Sequence, residues 1–393
     1  MLTINGMRFP IDVILIASVG TRPIGIQPKR PSHRVVHLIK RNLQLGLLLP
    51  FIYERRFMSN PARSVLAFNA DASNDVDVDV IVLSWNRVED TIAAIESARE
   101  QVDVRKRILV VDQCSDANNL AQLKAFLQAA PDVRLQELPR NTGVAGGRNI
   151  ASAMGKARYI VALDSDAVFA DAHALSRAVA QLDERANICA IGFRIDNFFT
   201  GKNDDTSWDY PAGRTPDQSF LTTRFIGAGH AIRRSVFEAV GGYDDRLFFC
   251  GEELDLCYRM LNTGKRIAYA PEVVIRHKVS PEHRVFWGKG RFFYTVRNNI
   301  YTAYKYNTPT LRLVLAAAAF IIKGWRNGIG EEAVRALKAS ISMCVAYRKS
   351  NEDKRAYQLS TETLEYIRIH EPNRSDSVMR KIRRLFASLP HKG

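Results

Sequence analysis

The residues best suited to do chemistry in this chain are two carboxylates one residue apart, Asp164 and Asp166, in Leu163-Asp164-Ser165-Asp166. They follow the apolar run Tyr159-Ile160-Val161-Ala162, which predicts a buried parallel strand with both acids at its C-terminal end, the edge where open α/β sheets bind ligands. Neighbouring acids are costly to bury without a counter-charge, and a hard divalent cation bridged to phosphate oxygens supplies one. A short acidic turn spells the same letters without any chemistry, so the reading depends on the surroundings.

Those surroundings are a repeated strand–helix pattern. Residues 78–83 read as a strand ending in Ser84-Trp85-Asn86-Arg87, with a helix through residues 91–98. A second strand, residues 107–111, ends in Asp112-Gln113-Cys114-Ser115-Asp116, and its helix carries Leu120, Leu123, Phe126 and Leu127. A third, residues 133–138, leads into Asn141-Thr142-Gly143-Val144-Ala145-Gly146-Gly147-Arg148-Asn149 and a helix to about Met154. Repeated β-α units imply a parallel sheet, so these strand ends share an edge with Asp164 and Asp166. There Asp112 would accept hydrogen bonds from a base or ribose, Gly143, Gly146 and Gly147 would let backbone approach a ligand, and Arg148 would add a cation near a helix N-terminus. The turn is not G-x-G-x-x-G and does not end in Gly-Lys-Ser/Thr, which disfavours dinucleotide and P-loop readings.

Downstream the pattern predicts a helix at residues 172–182, a strand at 188–195 and a long polar, aromatic loop at 197–218 holding Trp208 and Tyr210. The glycine-rich Phe225-Ile226-Gly227-Ala228-Gly229-His230 stretch suits a tight approach between strand and ligand, and a short helix follows at residues 235–240. Glu252-Glu253-Leu254-Asp255 opens an amphipathic helix, where first-turn acids stabilise the helix dipole whatever else they do. A strand to Pro271 and another at residues 273–277 bring in His277.

The chain has 393 residues, enough for two to three domains, and its 46% hydrophobic and 25% charged residues are those of a folded protein with a sizeable core. Its net charge of +15 implies an anionic partner: nucleic acid, phospholipid or a phosphorylated substrate. Residues 1–70 hold ten Lys or Arg against Asp12 and Glu54, a difference of +8. Within them, residues 11–19 look strand-like and residues 35–53 combine basic side chains with leucines in a pattern suited to an anionic surface. Five cysteines without a C-x-x-C pair support neither a disulfide framework nor a zinc knuckle. No leader pattern and no apolar run of ~18–20 residues is found, which predicts a cytoplasmic protein.

Taken in order, the segments at residues 82–87, 110–116, 141–149, 163–169 and 227–259 resemble a family 2 inverting glycosyltransferase of GT-A fold, closest to the rhamnosyltransferase-like group. The resemblance covers about residues 77–300. It implies an α/β fold with a mostly parallel sheet flanked by helices, and three parts: a basic N-terminal segment and linker (1–74), the catalytic domain (75–290) and a basic helical C-terminal region (291–393). It further implies a nucleotide-diphosphate sugar as donor, bound by Asn86, Asp112, Gly143, Gly146, Gly147, Arg148, Asn149, Asp164 and Asp166. Mg²⁺ or Mn²⁺ would sit on Asp166 with His277 as a further ligand. The catalytic base falls on Glu253, where relatives usually have Asp, with Asp255 in reserve. Trp208, Gly229, His230 and Glu252 fall on the side of a glycan or lipid-linked acceptor. Phe292-Phe293-Tyr294-Thr295-Val296-Arg297-Asn298-Asn299 is similar to a stretch often found just after the catalytic domain in this group.

The remaining helices, with the apolar residues 313–322 bracketed by Arg312 and Lys323 and with Arg380, Lys381, Arg383 and Arg384 beyond, predict peripheral attachment to the cytosolic face of an anionic membrane or a bundle packed on the catalytic domain. Two other classes share parts of the pattern. A nucleic-acid-binding protein would account for the charge, but no nucleic-acid motif is present, and none is expected as partner. A sugar nucleotidyltransferase would share sheet and metal pair but release pyrophosphate from a nucleoside triphosphate.

Overall fold

The computed structural model describes residues 76–278 and 290–371, together with the backbone of β1 (Leu2–Ile4) and β2 (Met7–Phe9). These two strands pair antiparallel within a unit, Met1–Leu66, distinct from the unit Ala67–Gly393. The strand-like residues 11–19, the basic apolar residues 35–53 and the 380–384 basic cluster lie outside the described residues.

In the larger unit, β3 (Val78–Ser84), β4 (Lys106–Asp112), β5 (Val133–Glu137) and β6 (Tyr159–Leu163) run parallel in the order β5-β4-β3-β6. Their crossovers are α1 (Val88–Arg99), α2 (Ala117–Gln128) and α3 (Gly143–Ala153). The strands read as unbroken apolar runs because both faces are covered: Val78, Val80 and Val82 pack with Ala94, Ile95 and Leu123 on one side, while Ile81, Leu109 and Val111 meet Ala145 and Ala151 on the other. Ser84 lies opposite Asp112, Asp112 opposite Glu137, and Val82 opposite Leu163, so the polar residues that follow all leave from one edge.

The rest of the sheet explains how distant residues reach that edge. After β7 (Ala167–Phe169), α4 (Ala174–Glu184), β8 (Ile188–Asn197) and β9 (Phe220–Thr222), strand β10 (Gly229–Arg233) inserts antiparallel between β6 and β8. Gly229 opposes Leu163, and the Asp164 N–H donates to the Ala228 carbonyl at 3.1 Å, which places residues 226–228 beside the acidic pair. Next come α5 (Arg234–Ala239), α6 (Glu252–Leu261) and β11 (Arg266–His277). The two strands expected around residues 265–277 are one strand with a register shift between Ala270 and Val274, spanning Pro271, which has no N–H for the ladder. β11 ends against β7 with His277 opposite Ala167, and the Lys278 N–H donates to the Asp166 carbonyl at 2.8 Å. His277 is thereby fixed next to Asp166 by sheet register.

Helices α7 (Phe292–Lys305), α8 (Thr310–Arg326), α9 (Gly330–Lys349) and α10 (Thr361–His370) belong to the same unit as the sheet. Among the described residues, no helix is long and apolar enough to cross a membrane. Lys305 ties α7 to the sheet domain: its fully buried ammonium lies 2.6 Å from Asp244 and 2.8 Å from Asp255. Arg246 holds Asp244 at 2.6 Å and Arg259 holds Asp255 at 2.8 Å, so each buried carboxylate faces two cations. Burial opposes ionisation of Asp244, but Lys305 and Arg246 outweigh it and hold the carboxyl well below its usual range. Burial likewise opposes the Lys305 charge, and Asp255 and Asp244 raise it nonetheless.

Removing one partner of such a cluster leaves an uncompensated charge, so Lys305→Met is expected to lose about 3–5 kcal/mol in urea unfolding at neutral pH. The depressed Asp244 contributes stability that is present above the ordinary carboxyl range and lost as pH falls through its folded value. The difference between Lys305→Met and the parent should therefore shrink in acid.

Candidate active site

At the shared edge, ligand atoms of Asp164, Asp166 and His277 all lie within 4.8 Å of one another. His277 Nε2 is 3.2 Å from Asp166 Oδ1, and Arg87 Nη1 is 2.6 Å from Asp166 Oδ2. Desolvation disfavours the Asp166 charge, yet His277 and Arg87 hold its carboxyl below the ordinary range. Burial pushes His277 down and contact with Asp166 wins, raising it. Asp164 is pushed up by desolvation and by Asp166 against the pull of Arg148. The buried Nδ1 of His277 has no hydrogen-bond partner. Two hard oxygen donors and an imidazole in this space fit one divalent cation.

Behind the pair sits Arg148, 3% exposed. Its Nη1 donates to Glu253 Oε1 at 2.9 Å, and its Nη2 to Asp164 Oδ1 at 2.9 Å and the Gly227 carbonyl at 2.8 Å. A β-carbon on Gly227 would lie 2.4 Å from Glu253 Oε1, so the missing side chain makes room for the ion pair. Glu253 arrives on the first turn of α6 and is partly exposed, so this helix brings a residue of the second acidic cluster to Arg148.

Several expected assignments need correction. Arg148 is buried beneath the carboxylates, so it organises them and offers no open cation to a diphosphate. Gly143, Gly146 and Gly147 make room for protein: added β-carbons would meet the Phe248 carbonyl at 2.4 Å, Thr142 at 3.0 Å and the Gln113 side chain at 2.2 Å. The Asn149 side chain closes on backbone, donating to the Tyr243 carbonyl and accepting from the Tyr243 N–H, both at 2.9 Å. Gly229 packs under Ile275 and Phe193, and His230 is fully buried, stacked on Phe225 and 2.9 Å from the Tyr243 hydroxyl, so neither presents a surface to an acceptor. Burial pushes His230 well below its ordinary pKa.

Glu252, the first residue of α6, is buried with Oε2 unpartnered, and burial together with Glu253 drives its carboxyl well upward, so it presents no surface to an acceptor. Asp255 is fully buried between Arg259 and Lys305, which withdraws it from the role of reserve base. Half-buried Trp208 packs edge-on to Tyr210 and Tyr269, anchoring the long loop.

Asn86 and Asp112 sit at the predicted edge and shape it. Asn86 accepts from the Asp116 N–H at 2.7 Å, while buried Asp112 accepts from the Ser115 N–H at 2.9 Å and hydroxyl at 2.6 Å. Arg87 was not singled out by sequence reasoning. Its signal was adjacency to Asn86 in a strand-end turn, but only the fold reveals its contact with Asp166.

The carboxyl edge of the sheet thus gathers two aspartates, a histidine and a helix-borne glutamate, tied together by Arg148 and Arg87, where open α/β sheets bind ligands. Residues 79–241 match the family described as Glycosyl transferase family 2, which places the similarity on the α/β sheet domain. The chain is 36% identical over 124 residues to the succinoglycan biosynthesis protein ExoO of Rhizobium meliloti, covering 31% of this chain and 33% of that one. It is 25% identical over 262 residues to the dTDP-rhamnosyl transferase RfbF of Shigella flexneri, covering 60% and 82%. The mannosyltransferase PcManGT of Pyrobaculum calidifontis, solved with GDP-Man and Mn²⁺, superposes with a TM-score of 0.47 at 18% identity over 84% of this chain and 94% of that one. This chain therefore spans about a third of the length of ExoO.

The corrected role of Asn149 is testable. Asn149→Ala leaves the Tyr243 N–H and carbonyl without partners and should cost about 1–3 kcal/mol in denaturant unfolding. Calorimetry of the folded variant should show unchanged affinity for nucleoside diphosphate, whereas a direct donor contact would lower it.

Proposed function

We propose that the chain is an inverting glycosyltransferase that moves a sugar from a nucleotide-diphosphate donor to a hydroxyl of a glycan or lipid-linked acceptor, in cell-surface polysaccharide synthesis. The observation that carries this reading is the single guanidinium of Arg148 holding both Asp164 and Glu253 beside Asp166 and His277. Asp166 and His277, with Asp164 next to them, would hold Mg²⁺ or Mn²⁺, which supplies neutralisation of the departing diphosphate. Glu253 Oε1 is engaged by Arg148, so Oε2 is the oxygen that takes the proton of the acceptor hydroxyl as its bond to the anomeric carbon forms and the bond to phosphate breaks. Arg148 fixes the alignment between the two halves of the site.

Screening UDP-, GDP- and dTDP-sugars for Mn²⁺-dependent release of nucleoside diphosphate tests the reaction class. Pyrophosphate release from nucleoside triphosphates would instead mark a nucleotidyltransferase. Glu253→Gln should lower turnover by about 10²- to 10⁴-fold with donor affinity nearly intact. Asp166→Ala should abolish Mn²⁺-dependent donor binding in calorimetry, and unchanged binding would sink that role. His277 is raised, and a ligand imidazole must be neutral, so Mn²⁺ affinity should weaken as pH falls through the neutral range in the parent and less so in His277→Gln.

We place the acceptor at an anionic membrane surface. Leu311, Leu315, Ile322 and Trp325 are 61%, 56%, 39% and 65% exposed, and their spacing puts them on one face of α8. Arg312, Lys323 and Arg326 lie on the same helix, which contains no acid. An apolar stripe with basic neighbours suits in-plane binding to anionic lipid. Leu315→Glu should reduce sedimentation with phosphatidylglycerol vesicles, and equal sedimentation would remove α8 from that role.

A further inference from the structure

The segment at residues 292–299, noted in the sequence for its resemblance alone, forms the start of α7, and one side chain in it has no part in the site described so far. Asn298 is 1% exposed, and its amide donates to the carbonyls of Leu247 at 2.8 Å, Phe249 at 2.8 Å and Cys250 at 2.6 Å. Its own carbonyl accepts from Arg297 Nε at 2.8 Å, and Arg297 Nη2 donates to the carbonyls of Arg246 at 3.0 Å and Leu247 at 2.8 Å. The loop so gripped is conformationally unusual: Phe248, Cys250 and Gly251 have φ of +61°, +69° and +90°, and two of the three carry side chains that disfavour that region.

Two elements of the site start from this loop. Gly251 is the N-cap of α6, whose next residues are Glu252 and Glu253. The Phe248 carbonyl accepts from the Val144 N–H at 2.6 Å on the first turn of α3, the helix that carries Arg148. Both partners of the Arg148–Glu253 pair thus stand on helices that begin against this loop, whose carbonyls at residues 247, 249 and 250 accept from the Asn298 amide.

We propose that Asn298 is a positioning residue: by holding the 247–250 carbonyls it fixes the start of α6 and aims Glu253 at the acceptor hydroxyl. This rests on the reading of Glu253 as the base. Asp166 immediately precedes β7 and His277 ends β11, so the contact between these two metal-side residues is set by the β7–β11 register and not by this loop.

The test is a double-mutant cycle on nucleoside diphosphate release from the UDP-, GDP- or dTDP-sugar that the panel selects, with Mn²⁺ present. Asn298→Ala should lower kcat on the order of 10- to 100-fold, the scale for a base displaced by about an ångström, with Mn²⁺ affinity changed less than about threefold. In a Glu253→Gln background the same substitution should cost almost nothing more, because what it positions is already gone. Equal losses in both backgrounds, or a matching fall in Mn²⁺ affinity, would show a general structural role and overturn the proposal. Asn298→Ser, which keeps one donor, is read through the same cycle if Asn298→Ala does not fold. A Glu253→Gln protein with near-normal turnover would overturn the base assignment instead, a result distinct from additivity.

Discussion

A guanidinium as deeply buried as that of Arg148 needs acceptors for its hydrogens and anions for its charge, and the protein supplies both from three separate elements. Asp164 comes from the end of β6, Glu253 from the first turn of α6, and the Gly227 carbonyl from the approach to β10. The carboxylates raise the tendency of Arg148 to stay charged in spite of burial. Strands, glycine-rich helix and second acidic cluster can therefore be understood as means of bringing three oxygens to one cation. The geometry of the candidate site follows from satisfying that cation, with Asp166 and His277 placed alongside by the β7–β11 register.

The C-terminal helices extend the same logic. Lys305 does for Asp244 and Asp255 what Arg148 does for Asp164 and Glu253, and so ties α7 to the sheet domain. Buried ion clusters of this kind are a weak source of net stability but a strong constraint on arrangement, since any displaced partner leaves a charge without water. Rigidity near the start of α6 is the expected consequence.

The strands and helices were legible because two-sided burial writes itself as apolar runs and helical spacing, as in residues 78–83 and in Leu120, Leu123, Phe126 and Leu127. The Asp164/Asp166 edge was legible for the same reason: strand ends in a parallel array share a side. Orientation of individual side chains was not. Glycines at 143, 146 and 147 signal close approach, but the letters do not say whether ligand or protein approaches, and here it is protein. Arg148, Asn149 and His230 are polar residues that look functional in sequence, yet long-range partners such as Glu253 and Tyr243 decide their roles. Asp255 illustrates the limit most sharply, since its counter-ion Lys305 comes from a helix fifty residues on that no local pattern connects to it.

The central claim is that one buried guanidinium joins Asp164, which stands beside the metal-side pair, to Glu253 at the base end of the proposed site. Lysine keeps the charge of Arg148 but not the planar fork that reaches Asp164, Glu253 and the Gly227 carbonyl at once. Measured on one folded sample of Arg148→Lys, Mn²⁺ affinity and sugar-nucleotide turnover should both fall, each by about tenfold or more. A folded Arg148→Lys protein that keeps either one at the parental level would contradict the account.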